Sequence, residues 1–261
     1  MDSRWRNARL GTCDLMRLIV SNGKTLSPIW TIPWLTNEIF RIDWLHAADQ
    51  GVAADWMGNV FKFLVRRSPG ANLKAKHIHL WNRVLEFYDD KHVHDRLNAL
   101  TPTMIQAKGK PPKLRCSAAQ CRALIPFAYE QTQGLSDVDA TEQAIKVGTL
   151  HLWRCYEALS SKSIFSKDIL LENSVKFALQ YVALSTIDEN TSDWRVKPKL
   201  HMFLEVCSDG SLPSMFWCYR DEDYGGSVAR LARRRGGLLS AQSFSRTFLQ
   251  RWRCTPMIRL A

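Results

Sequence analysis

The feature that most limits what this chain can fold into is a series of apolar stripes at helical spacing. Between Ala53 and Leu64 apolar residues fall at 53, 56, 57, 60, 61 and 64, which on a helix form one face. A second stripe runs over His77–Tyr88, with Ile78, Trp81, Val84, Leu85 and Tyr88 to one side. A longer helix is predicted over about 139–160, with Ile145, Leu152, Tyr156 and Leu159 inward, and another from Ser174 to Leu184 holding Val175, Ala178, Leu179 and Val182. Ser117 offers an N-cap to a helix carrying Cys121, Leu124, Ile125 and Ala128, which Pro126 should kink or restart. Lys199–Val206 reads as helical, and a last helix pair falls near 223–235 and 242–253, parted by Gly236 and Gly237. One strand is expected, over the β-former-rich run Ile39–His46, ending near Asp43. The fold class is therefore mainly α, a helical body with a small β component near the N-terminus.

Between these elements, Thr101–Leu114 is a loop punctuated by Pro102, Gly109, Pro111 and Pro112, and Asp188–Pro198 is a polar connection. Hydrophobic residues at 46% with 10 Trp suffice for a sizeable core, and charged residues at 23% argue against disorder. The opening residues are charged and lack an apolar signal region, and no apolar run approaches the roughly 18 residues of a membrane span. The 7 Cys are odd in number and scattered, which favours reduced thiols in the nucleus or cytoplasm. No CxxC is present and the His-x-His pairs suit no helix, so zinc is not expected.

The formal charge of +11 is unevenly spread. From Tyr224 onward there is no Asp or Glu, while Arg230, Arg233, Arg234 and Arg235 head a run of eight arginines. Arg230, Arg233 and Arg234 share one helical face, either a phosphate-tracking face or a solvated one. A second basic knot, Lys108, Lys110 and Lys113, lies in the Pro-containing loop. Clustered charge of one sign attracts polyanions, DNA first, and predicts DNA as a partner; solubility is the plainer alternative.

Asp43-Trp44-Leu45-His46, followed by Gln50-Gly51-Val52 and an amphipathic helix, is the most informative segment for chemistry. A carboxylate with a His three residues on can serve a metal-bound phosphate; equally, Asp43 can cap the next turn and His46 can be a satisfied imidazole. Asp221, Glu222 and Asp223 form an acidic triplet that either ligates a metal or caps the helix after it. The ten tryptophans fall mainly on apolar faces, as core residues do.

Three stretches together resemble the CACTA-type DDE transposases. They are Asp43-x-x-His46 with Gly51-Val52 and Asp55-x-x-Gly58-Asn59; Lys113 to Pro126; and Lys197-Pro198-Lys199-Leu200-His201-Met202-Phe203-Leu204. The resemblance implies that Asp43 is the second acidic metal ligand, with His46 in the same catalytic motif, and that the third acid is Glu222, chosen among Asp221, Glu222 and Asp223. It implies Mg²⁺ as cofactor, and a partial RNase H-like core segment over 1–66. A helical insertion would follow over 67–197, then C-terminal helices with the acidic triplet and basic tail over 198–261. Gln50 departs from the family's usual Leu. The family's first catalytic Asp belongs well upstream of Asp43, yet only Asp2 and Asp14 precede it, too close to leave room for the strands between. The resulting expectation is a fragment or degenerate copy of such a transposase, inactive alone. A non-catalytic basic nucleic-acid-binding module, or a helical interaction scaffold, are the alternatives.

Overall fold

The computed structural model of the chain describes residues 12–25, 32, 41–160, 164–187 and 193–219, and beyond those 221–223, 225, 226, 229, 246 and 250. Contacts divide the chain into two units, Met1–Phe216 and Trp217–Ala261. The described residues of the first unit are helical, without a strand: α1 (Thr12–Ser21), a wide π-helical segment (Leu45–Ala53), α2 (Ala54–Arg67), α3 (Leu73–Asp90), the single turn α4 (Pro102–Ile105), α5 (Ala118–Thr132), α6 (Ala140–Ala158), α7 (Lys167–Ile187) and α8 (Pro198–Ser208). None of these helices is long and apolar enough to cross a membrane.

Local chemistry sets where the helices begin. Asn72 accepts the Ala75 N–H at 2.9 Å to start α3 and Asp139 accepts that of Glu142 at 2.8 Å to start α6. At α5, Ser117 and Gln120 exchange side-chain-to-backbone hydrogen bonds, a full capping box. The helix then runs unbroken through Pro126, so the restart expected there does not occur.

The π segment sits at the centre, packed by α2, α5 and α8. Trp44, fully buried, meets Tyr156 of α6 edge-on at 5.6 Å and Phe203 of α8 at 5.6 Å. Beside it Trp56 of α2 touches Phe177 and Tyr181 of α7 and Trp194 at 4.9, 5.6 and 5.0 Å. These rings, linked through Phe177 and Phe203, join six segments into one core, each large aromatic burial contributing on the order of 2–3 kcal/mol. The tryptophans 44, 56 and 194 are thus core residues, as their apolar settings indicated.

Three readings of the sequence are corrected. The strand expected over Ile39–His46 is absent at its described end: Arg41–Asp43 are irregular and Trp44 already has helical dihedrals. Its bulky apolar residues favour burial, and Trp44 and Leu45 find it on a helix; Ile39 and Phe40 lie outside the described residues. On α3 the buried face is His77, Leu80, Val84, Phe87 and Tyr88, leaving Ile78 and Leu85 exposed. On α7, which is longer than predicted, Leu170, Phe177, Ala178, Tyr181 and Leu184 turn inward, while Val175, Leu179 and Val182 are exposed. Both helices carry apolar residues around most of their circumference, so spacing alone does not select the inner face.

In the second unit, Trp217 and Tyr219 meet edge-on at 5.3 Å, and the Glu222 N–H donates to the Cys218 carbonyl at 2.9 Å. The helix pair predicted over 223–235 and 242–253 lies mostly outside the described residues.

Candidate functional site

The site is built around a break in the central helix. Gly51 has φ −104° and ψ −109°, outside the helical region, and a broken helix leaves carbonyls in need of donors. Two of them are met by lysines distant in sequence: the Lys199 ammonium donates to the His46 carbonyl at 2.8 Å and the Lys113 ammonium to the Gln50 carbonyl at 2.7 Å. One turn further on, Asp55 stands in the first turn of α2, where the helix N-terminus favours a negative charge. Its buried carboxylate accepts from Lys197 at 2.8 Å, with Lys113 3.9 Å from the same oxygen.

Glycine makes these approaches possible at two positions. A Cβ on Gly51 would lie 2.7 Å from the His46 carbonyl oxygen and 2.9 Å from the Lys199 side chain. A Cβ on Gly58 would fall 2.4 Å from the Lys113 backbone, which runs against α2 with the Leu114 N–H donating to the Ala54 carbonyl at 2.8 Å.

Charge is unbalanced here. The ammoniums of Lys113, Lys197 and Lys199 gather beside the carboxylate of Asp55. Burial pushes the Lys113 ammonium below its ordinary value; Asp55 opposes that shift, and the ammoniums of Lys199 and Lys197 add to it.

Asp43 and His46 occupy the entry to the same segment. Asp43 Oδ2 accepts the His46 backbone N–H at 2.8 Å and lies 2.7 Å from His46 Nδ1, so one carboxylate oxygen both caps the turn and holds the ring. Arg41, just before it, pairs with Asp209 after α8. Deeper in, the fully buried Asp49 accepts the Tyr156 hydroxyl at 2.6 Å.

The other predicted residues are distributed as follows. Lys108 and Lys110 are exposed on the loop between Ile105 and Lys113, which is closed at its base by the Lys113 N–H donating to the Ile105 carbonyl at 2.9 Å. Asp221, Glu222 and Asp223 are exposed helical residues of the second unit. Arg230, Arg233, Arg234 and Arg235 lie outside the described residues. Mg²⁺ chemistry on DNA needs carboxylates that bridge two ions. Among the described residues of the first unit, Asp43 brings one carboxylate to this place, with Oδ2 engaged by His46.

Sequence reasoning named Lys113 but not Asp55, Lys197 or Lys199 as site residues. A signal was present in Lys197-Pro198-Lys199: proline marks a helix start, the end where positive charge is least favoured, so two lysines there ask for a reason. No protein-family model, curated protein or solved structure matches this chain.

Proposed function

We propose that this chain is a fragment or degenerate copy of a DDE-type transposase that holds DNA and does not cut it unaided. One observation carries the reading. The three stretches that bear the resemblance, at 43–59, 113–126 and 197–204, meet at one place, bonded through Lys113–Gln50, Lys199–His46 and Lys197–Asp55. The positive surplus there and the exposed Lys108 and Lys110 on the adjoining loop suit a phosphate backbone. The arginine run from Arg230 onward and the acids Asp221, Glu222 and Asp223 would join this task in the intact protein. An RNase H-like sheet, with Asp43 and Glu222 as Mg²⁺ ligands, belongs to the same reading for a completed enzyme.

The test mixes the purified chain with labelled duplex DNA, with and without Mg²⁺, and reads complex formation and nicking together. The expected result is a complex at low salt, no nicking, and the same affinity for Asp43→Ala. Absence of any complex at low salt would sink the reading. Nicking abolished by Asp43→Ala would overturn the assignment of an inactive chain.

A second reading, an interaction scaffold, draws on α7, whose Val175, Leu179 and Val182 form an exposed apolar stripe. It predicts no DNA complex under any salt condition.

A further inference from the structure

The lysine cluster has a property that structural stapling leaves unexplained. Lys113 and Lys197 approach the same oxygen of Asp55, at 3.9 and 2.8 Å, so their ammoniums are near neighbours. Lys199 is held beside them by a backbone carbonyl, a neutral partner that orients an ammonium without cancelling its charge. Lys197 and Lys199 flank Pro198 at the start of an 11-residue helix, against the helix dipole as well as against each other. Three converging ammoniums are an arrangement that a multiply charged oxyanion satisfies, since each has three protons to donate. The cluster is also reachable: the side chains of Lys113 and Lys197 keep 39% and 31% of their surface exposed.

We infer that Lys113, Lys197 and Lys199 form a binding site for a phosphate group. Two sources carry that chemistry, a phosphodiester of a nucleic-acid backbone and a free inorganic phosphate. The choice of the first as the physiological one rests on the DNA-holding reading above; the site itself does not. The lowered proton affinity of Lys113 agrees with this geometry, because a bound anion would offset the burial and the neighbouring charges that cause it.

The test uses two probes on the full chain, inorganic pyrophosphate by titration calorimetry and a short labelled duplex by fluorescence anisotropy. The variants are Lys199→Gln, which gives up only a bond to a carbonyl, Lys113→Gln, and the charge-preserving Lys197→Arg, each checked for native helicity by circular dichroism. Pyrophosphate should bind the wild type, about tenfold more weakly to each Gln variant, and nearly unchanged to Lys197→Arg. If folded Lys199→Gln and Lys113→Gln bind pyrophosphate like the wild type, or if the wild type does not bind it, the inference is overturned. The duplex arm separates the sources. Parallel loss of DNA affinity assigns the site to the backbone. Loss of pyrophosphate binding in a protein that never binds DNA upholds the site and removes the DNA reading.

Discussion

The carboxylate of Asp55 and the ammonium of Lys197 meet at 2.8 Å across 142 residues of chain. Asp55 is buried while Lys197 stays partly in solvent, so the pair joins the interior of α2 to the edge of the cluster. Replacing Asp55 by Asn removes the charge that separates Lys197 from Lys113. We expect a loss of about 2 kcal/mol, less than for a fully buried pair because both lysines keep access to water. Urea denaturation of Asp55→Asn against Lys62→Gln, which breaks the nearby Lys62–Asp193 pair, measures it; equal and small losses would show that the Asp55 pairing is not central.

Gly58 is a packing requirement. A methyl group there would strike the Lys113 main chain, which has no flexible end to move aside. Gly58→Ala should cost about 3 kcal/mol and shift Lys113 off the Gln50 carbonyl. A thermal melt unchanged from wild type would contradict the close approach.

His151 predicts acid sensitivity. It is buried, with Nδ1 2.9 Å from Asn173 Oδ1, and the Asn173 amide nitrogen donates to the Ile169 carbonyl, which leaves the proton on His151 Nδ1. Burial holds the imidazole below its ordinary 6.5, with Lys176 and Arg154 adding to the effect and the Asn173 bond opposing it. As pH falls below 6.5 the unfolded chain takes up this proton first, so stability declines until the folded imidazole is protonated and then levels off. His151→Asn keeps a donor in place without titrating. Its unfolding free energy should fall less steeply between pH 6.5 and pH 5 than that of the wild type; parallel curves would refute the assignment.

The buried thiols should be inert. Burial pushes Cys155 well up and Cys207 up to about 12, while the hydrogen bond to Cys116 and then burial raise Cys121. Iodoacetamide at pH 8 should therefore leave Cys121, Cys155 and Cys207 unmodified in native protein, as peptide mass mapping would show. Rapid labelling of Cys207 would contradict its position on the buried face of α8.

Much of the helical order was legible because its signals are local. Ser117 and Gln120 sit three residues apart, Asp139 heads its helix, and Ala53–Leu64 carries one clean stripe. The inner faces of α3 and α7 were not, since polar residues there are satisfied by their own helix: His77 by the Leu73 carbonyl, Ser174 by that of Leu171. A buried polar residue paired within its own turn leaves no trace in a hydrophobic pattern. The run Ile39–His46 misled because bulky apolar residues serve a strand and a buried helix alike. At the site, Asp43, His46 and Lys113 stood out as candidates, while Asp55, Lys197 and Lys199 were visible only as members of their motifs. The grouping of these residues depends on contacts spanning up to 153 residues, and spacing in one sequence carries no such information.

The most direct test of the central claim is the salt dependence of duplex-DNA binding by the intact chain. Anisotropy titrations from 50 to 200 mM salt should give a log–log slope of about −1 or steeper, as expected when the lysine cluster neutralises at least one phosphate. A flat dependence, or no binding at the lowest salt, would contradict a DNA-holding role for this fold.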